Sequence, residues 1–227
     1  FFFNCHNDFF EEASKFRAAR RLWFDLIKER YNPSNPKSAM LRFHTQVAGV
    51  SLTAQQPLNN IARVTIQALA AVCGGTQSLH TNSYDEALGL PTEKSATVAL
   101  RTQQIIAEES GAADIVDPLG GSYHVEALTE RIYQEAFSQI QKIESLGGAL
   151  AAIEQGWQQR EIHNAAFKHL MDVESGDRKI VGVNHGVMED ETSTEVLQLD
   201  PAVGEMQCQR LANLRESRDS VAAQKCI

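Results

Sequence analysis

The sequence predicts an α/β fold in which parallel strands are covered by helices, followed by a mostly helical segment. Two patterns carry this expectation. Residues 1 to about 110 alternate three times between a short strand-like run and a longer amphipathic run at helical spacing, whereas beyond about residue 112 long helical stripes dominate. Size agrees: 227 residues with 43% hydrophobic content can build one sizeable core, which excludes a disordered tail or a disulfide-stapled miniprotein.

The elements follow in order. Phe1-Phe2-Phe3 reads as the end of a strand, and Asp8 with Glu11 three residues on is a capping-box pattern opening a helix. In that helix Phe9, Ala13, Phe16, Trp23 and Ile27 form one buried stripe, broken where Arg20 falls, and the helix stops before Pro33 and Pro36. Met40 to Gln46 is strand-like. Turn-rich chain from Ala48 to Pro57 leads into a helix from about Asn59 to Cys73, with Ile61, Val64, Ala68 and Val72 inward and Gly74-Gly75 ending it. A third strand spans Thr76 to Thr81. Pro91-Thr92-Glu93 opens the next helix, with Ala96, Ala99, Leu100, Ile106 and Ala107 inward and Gly111 at its end.

Asp117 to Ser122 is a turn cluster, after which Val125, Leu128, Ile132, Ala136, Ile140 and Ile143 mark a long helix ended by Gly147-Gly148. A helix over about Gln158–Glu174 and a short strand at Lys179–Val183 follow. Glu189 to Glu205 is acidic and weakly patterned, as a linker would be, and a polar helix from about Glu205 to Ala223 closes the chain. There is no solenoid repeat and no low-complexity tract.

Charge narrows the function classes. Lys+Arg number 21 against 29 Asp+Glu, a formal charge of −8, and the densest basic stretch (Arg17, Arg20, Arg21) shares its helix with Glu11, Glu12 and Asp25, so nucleic acid is not an expected partner. Cys5, Cys73, Cys208 and Cys226 are far apart without a C-x-x-C pair, which fits a reducing compartment better than a zinc knuckle or disulfide framework. Apolar runs are too short for a membrane span, and Phe1-Phe2-Phe3 lacks the flanks of a signal peptide. Because the chain starts without Met, a fragment is expected.

In parallel α/β folds ligands meet the carboxyl ends of the strands. Here those ends are polar: His44-Thr45-Gln46 on the second strand, and Thr76, Gln77, Ser78, His80, Thr81 and Asn82 on the third, followed by Tyr84, Asp85 and Glu86. Buried parallel strands are ordinarily Val/Ile/Leu-rich, and an unpaired buried amide or hydroxyl costs about 1–3 kcal/mol. A ligand or water is therefore expected against these groups. Gln46 shares a face with His44. His80 faces with Thr76 and Ser78, opposite Gln77, Leu79 and Thr81, and the sequence leaves open which set points inward. Asn82 and Glu86 are four apart, a spacing that serves either convergence on a ligand or helix capping. Gly74-Gly75 and Gly120-Gly121 are turn glycines, since no phosphate-loop pattern is present, and the histidines lack partners at metal-ligand spacing.

The runs Leu41-Arg42-Phe43-His44-Thr45-Gln46-Val47-Ala48-Gly49-Val50-Ser51-Leu52-Thr53-Ala54-Gln55-Gln56-Pro57 and Gly74-Gly75-Thr76-Gln77-Ser78-Leu79-His80-Thr81-Asn82-Ser83-Tyr84-Asp85-Glu86-Ala87 resemble the coenzyme-B12-dependent acyl-CoA mutase family. So do Asn7-Asp8-Phe9-Phe10-Glu11-Glu12, Leu90-Pro91-Thr92-Glu93-Lys94-Ser95, Asp117-Pro118-Leu119-Gly120-Gly121-Ser122-Tyr123 and Val181-Gly182-Val183-Asn184, in the family's order. The resemblance implies a partial TIM (β/α)8 barrel: residues 1–112 would be its last three strand–helix units, residues 113–186 a helical extension, and residues 187–227 an acidic linker and helix towards a cobalamin-binding domain. It also implies an acyl-CoA chain threading the barrel and adenosylcobalamin as cofactor. By position, His44 and Gln46 would act in catalysis, His44 and Gln77 would touch substrate, and Gln46, Gln77, Asn82 and Glu86 would hold the cofactor, with Asn82 and Glu86 on its ribose. The implied reaction is a radical carbon-skeleton rearrangement of a short acyl-CoA, of the methylmalonyl-CoA to succinyl-CoA type, these residues acting by positioning.

The family ligates cobalt through D-x-H-x-x-G, and none of the seven histidines has Asp two positions before it, so no metal ligand is expected in this chain. The implied partners are an acyl-CoA, a cobalamin-binding domain or subunit, and a second mutase subunit in a dimer, with no nucleic acid and no membrane. The implied location is the cytoplasm, or the mitochondrial matrix in a eukaryote. Isobutyryl-CoA and related branched substrates, a non-catalytic scaffolding subunit, and an unrelated barrel hydrolase are the competing readings.

Overall fold

A computed structural model describes residues 1–189 and 195–226. Strands β1 (Phe2–Cys5), β2 (His44–Val47) and β3 (Ser78–His80) form a parallel sheet in the order β1-β2-β3. Helix α1 (Phe9–Tyr31) connects β1 to β2, α2 (Asn59–Cys73) connects β2 to β3, and α3 (Glu93–Glu108) follows β3. Each parallel crossover is thus made by a helix, as the alternating sequence pattern requires.

The register decides which side chains share a face. Phe2 pairs with His44 and Asn4 with Gln46; His44 pairs in turn with Ser78, and Gln46 with His80. Because strand side chains alternate, one face carries Phe2, Asn4, His44, Gln46, Ser78 and His80, and the other carries Phe3, Cys5, Thr45, Val47 and Leu79. The second face is the core. Cys5, Phe16, Leu41, Phe43, Ala70 and Ala71 pack together, with Phe3, Phe9, Trp23 and Leu79 against them. Val47, Leu52, Val64, Ala68 and Ile106 make a second cluster. The first face is uncovered, with Phe2 84% exposed.

Helix α1 begins as the capping pattern predicts, Asp8 Oδ1 accepting from the Glu11 amide at 3.1 Å. Its buried side is wider than the expected stripe: Glu12, Ala13, Ser14, Phe16, Ala18 and Leu22 are buried, because α4 (Tyr123–Ser145) covers the flank that the sheet and α2 leave free. The break at Arg20 has a physical reason. Its Nη1 donates to Gly74 O at 2.6 Å, on a carbonyl at the C-terminus of α2. Gly75 follows at φ +81°, the left-handed region that lets the chain turn sharply into β3.

Helices α1 and α4 run in the same direction. Arg17 bonds Asp117 Oδ1 at 3.0 Å and Glu126 Oε1 at 2.8 Å, Arg21 pairs with Glu130, Tyr133 Oη donates to Asp25 at 2.9 Å, and Arg30 pairs with Glu144. The turn cluster at residues 117–122 is therefore tied to the strand–helix part through Arg17. Helices α5 (Ala149–Glu154), α6 (Trp157–Glu174), α7 (Pro201–Ser217) and α8 (Ser220–Lys225) complete the described residues.

Several expectations need correction. The second and third strands are shorter than Met40–Gln46 and Thr76–Thr81, because only His44–Val47 and Ser78–His80 pair as strands. The inner face of α3 is Ser95, Ala99, Thr102 and Ile106, while Leu100 is 53% exposed. Ser95 and Thr102 bury readily because their hydroxyls donate to Thr92 O and Val98 O at 3.0 and 2.9 Å. Lys179–Val183 is not a strand: Val181 makes one bridge to His185, and Asn184 closes the turn by accepting from the Ile180 amide and donating to Val173 O and Arg178 O. The closing helix starts at Pro201, capped by Asp200, and breaks at Arg218 before α8. Of the acidic linker, residues 190–194 lie outside the described residues. Among the described residues no helix is long and apolar enough to cross a membrane.

Candidate functional site

The site forms where the polar face of the sheet meets the loops beyond the carboxyl ends of β1, β2 and β3. Asn4 Nδ2 donates to Gln46 O at 3.3 Å, which ties the first two strands at this rim. Gln46 Nε2 reaches Asn82 Oδ1 at 3.4 Å, and Asn82 Nδ2 donates to Val47 O at 3.1 Å. Asn82 is 2% exposed, so these bonds hold its amide in one orientation. The chain then turns over residues 84–88, the Glu86 amide bonding Ser83 O at 3.2 Å, and this turn brings Glu86 back beside Asn82.

Gly49 sits between them. A Cβ there would lie 2.9 Å from Asn82 Nδ2 and 2.9 Å from Glu86 Oε1, so only glycine lets the β2 loop approach both groups. Asn82 and Glu86 therefore both lie against Gly49, and the segment they share is a turn, not a helix start. The Glu86 carboxylate is exposed and bonds no side chain or backbone group among the described residues.

Buried polar groups outside the sequence-derived set hold this rim. Asn60, fully buried on α2, accepts from the Thr53 amide at 3.1 Å and donates to Thr53 O and Tyr84 O at 2.8 Å each. It thereby joins the loop after β2 to the loop after β3. Arg63 braces Asn60 at 2.8 Å and reaches Val181 O at 2.6 Å. Asp85 is 1% exposed and its Oδ2 accepts from the Thr92 amide at 3.3 Å, anchoring the 82–86 turn on the start of α3. Burial pushes the Asp85 carboxyl up, but the polar groups around it, among them the Thr92 amide that donates to Oδ2, outweigh it and hold the group below its ordinary value. Gln67, also fully buried, donates to Asn7 Oδ1 and Ser51 Oγ at 2.6 Å each. A polar residue at an apolar-stripe position of α2 is the one sequence signal that could have flagged Asn60 and Gln67.

On the open face, His44 Nδ1 lies 2.7 Å from Ser78 Oγ, and the register places His80 beside Gln46. The parity left open by the sequence is thus settled: Ser78 and His80 share the face of His44 and Gln46. Gln77 does not join them. It stands at the opposite, amino-terminal end of β3, where its Oε1 accepts from the Phe43 amide at 2.8 Å and its Nε2 donates to Gly75 O at 2.9 Å. The amide extends the β2–β3 pairing below His44. Thr45 and Thr76 are likewise spent internally, their hydroxyls 2.8 Å apart.

An exposed carboxylate next to a buried, hydrogen-bonded amide is a pair able to accept from and donate to the hydroxyls of a ligand. A carboxylate accepts from two neighbouring hydroxyls, and Asn82 retains one N–H and lone-pair capacity beyond its bonds here. No cluster of three His, Cys, Asp or Glu side chains able to hold a metal ion occurs among the described residues. Cys5 is a core thiol: burial, reinforced by Glu12, drives its titration far above the usual range, and its Sγ lies 3.1 Å from Gln67 O.

Comparison with known proteins adds an independent finding. The methylmalonyl-CoA mutase family model matches residues 1–227. The chain is 50% identical over its whole length to a probable mitochondrial methylmalonyl-CoA mutase of Caenorhabditis elegans. It is 47% identical, again over its whole length, to the 2-hydroxyisobutanoyl-CoA mutase large subunit of Aquincola tertiaricarbonis and to the mitochondrial methylmalonyl-CoA mutase of Homo sapiens. It spans 31%, 41% and 30% of these three relatives' lengths, respectively.

Proposed function

The chain belongs to the methylmalonyl-CoA mutase family, and from that premise we propose that it is the rim-bearing part of an adenosylcobalamin-dependent acyl-CoA mutase. In this reading β1, β2 and β3 are the last three strands of a TIM (β/α)8 barrel, residues 113–186 are its helical extension, and residues 187–227 lead towards a cobalamin-binding domain. The open face of the sheet is then the barrel interior. A second subunit completes the assembly. The substrate class is a short branched acyl-CoA, because relatives of similar identity are named for methylmalonyl-CoA and for 2-hydroxyisobutanoyl-CoA. The mitochondrial names among the relatives support the mitochondrial matrix as the location in a eukaryote, and the cytoplasm is the counterpart elsewhere.

One observation carries the reading: Gln46, Asn82 and Glu86 meet around Gly49 at the carboxyl end of the sheet, directly beyond a polar strand face. This pair suits the hydroxyls of a ribose. Glu86 accepts from its vicinal hydroxyls, Asn82 fixes the approach, and Gln46 holds Asn82. His44 lies lower on the same face, where a thioester chain passes along the strands. When bound, adenosylcobalamin supplies the radical chemistry; the protein residues orient the reacting groups and exclude water. Gln77, engaged at the far end of β3, supports the strand pairing.

The test uses the full-length protein with adenosylcobalamin, assayed for isomerisation of methylmalonyl-CoA and 2-hydroxyisobutanoyl-CoA. The expected result is turnover of at least one, with Asn82→Ala and Glu86→Ala slowing it far more than they weaken acyl-CoA binding. Subunit association without turnover would instead identify a scaffold, and unchanged turnover in both variants would remove the ribose assignment.

A further inference from the structure

His44 and Ser78 stand directly opposite each other on neighbouring strands, with His44 Nδ1 and Ser78 Oγ 2.7 Å apart. On its other flank the imidazole meets the Phe2 ring edge to face, centroids 5.5 Å apart and planes at 66°. The ring is therefore held from both adjacent strands, and its Nε2 bonds no group among the described residues.

Which nitrogen carries the hydrogen follows from the hydrogen-bond network. Ser78 Oγ has no partner among the described residues except His44. If Nδ1–H donated to it, the exposed hydroxyl would have only water as an acceptor for its hydrogen, which a bound acyl-CoA would exclude, and Nε2 would face the sheet surface as a bare lone pair. If the hydroxyl donates to Nδ1, its one hydrogen is used and the neutral ring carries its own on Nε2. Resting on the acyl-CoA reading above, we infer that Ser78 is a positioning residue that sets the His44 tautomer, so that Nε2–H is offered to a carbonyl oxygen of the acyl-CoA chain. Thioester and amide carbonyls are acceptors only. They repel the other tautomer and are held by this one.

A double-mutant cycle on the full-length protein with adenosylcobalamin tests this, using whichever of methylmalonyl-CoA and 2-hydroxyisobutanoyl-CoA it isomerises. Ser78→Ala is expected to lower kcat/KM about three- to tenfold, the worth of one neutral hydrogen bond, and to leave adenosylcobalamin affinity unchanged. Ser78→Thr, which keeps the hydroxyl on a β-branched side chain suited to a strand, recovers most of the loss. In a His44→Ala background, Ser78→Ala has no further effect. Equal losses from Ser78→Ala with and without His44 would overturn the role of Ser78 while leaving the functional reading intact. Unchanged kcat/KM in His44→Ala would overturn the His44 contact and the Ser78 role with it, and absence of turnover in the unaltered protein would overturn the mutase reading itself.

Discussion

Replacing Gly49 by alanine should damage function out of proportion to stability. The new methyl group would stand 2.9 Å from both Asn82 Nδ2 and Glu86 Oε1, where ordinary contact begins about half an ångström further out. Gly49 does not occupy the left-handed region, so the backbone itself accepts alanine without strain. Glu86 is exposed and can swing aside, but Asn82 is 2% exposed and bonded to Val47 O at 3.1 Å, so relieving the clash means moving its amide or breaking that bond. The energetic cost is about 1 kcal/mol, the net worth of one such hydrogen bond. The functional cost is larger, because a misplacement of about 1 Å in a positioning group lowers rates by up to roughly a hundredfold. The assay pairs steady-state isomerisation by the full-length protein with its thermal unfolding. Turnover should fall by more than an order of magnitude while the unfolding midpoint moves only slightly. Undiminished turnover, or a loss of stability that accounts for the whole effect, would refute the view that Gly49 is there to admit Asn82 and Glu86.

Two further outcomes follow from the groups behind the rim. Asn60→Ala strands the Thr53 amide and the carbonyls of Thr53 and Tyr84; at about 1–3 kcal/mol for an unsatisfied buried group, denaturant unfolding should show a loss of about 3 kcal/mol or more, and protease should cut first near residues 53 or 84. A variant as stable as the parent would show that water replaces the clamp. Asp85, held below its ordinary titration value, contributes stability that is fully present above the usual carboxylate range and is lost as pH falls through the depressed value. The advantage of the parent over Asp85→Asn in thermal unfolding should therefore shrink below about pH 4, and a difference independent of pH would contradict the charge-based account.

The alternation of strand-like and helical runs made the order of β1, α1, β2, α2, β3 and α3 legible, because caps and stops such as Asp8, Thr92 and Gly75 act locally. Helix faces were less legible wherever polar side chains are buried. Ser95 and Thr102 satisfy their own hydroxyls and so occupy core positions that an apolar count assigns to Leu100. The same cause hid Asn60 and Gln67. Residue type and spacing left Asn82 and Glu86 between a ligand pair and a helix cap, and only the resemblance named them with Gln46; their approach to one another depends on Gly49, a close approach between two loops that no local pattern encodes. The parity of the third strand likewise needed a partner: only the pairing of His44 with Ser78 fixes which residues share the open face. Gln77 sits in the same motif, but strand geometry sends its amide to Phe43 and Gly75 at the other end.

The account rests on where the two ligands lie. A structure of the full-length protein bound to adenosylcobalamin and an acyl-CoA would measure this directly. Glu86 and Asn82 should lie within hydrogen-bond distance of the ribose hydroxyls, with the thioester chain running along the face that bears His44 and Gln46. A nucleoside bound elsewhere, with that strand face packed against protein and closed to the acyl-CoA, would contradict it.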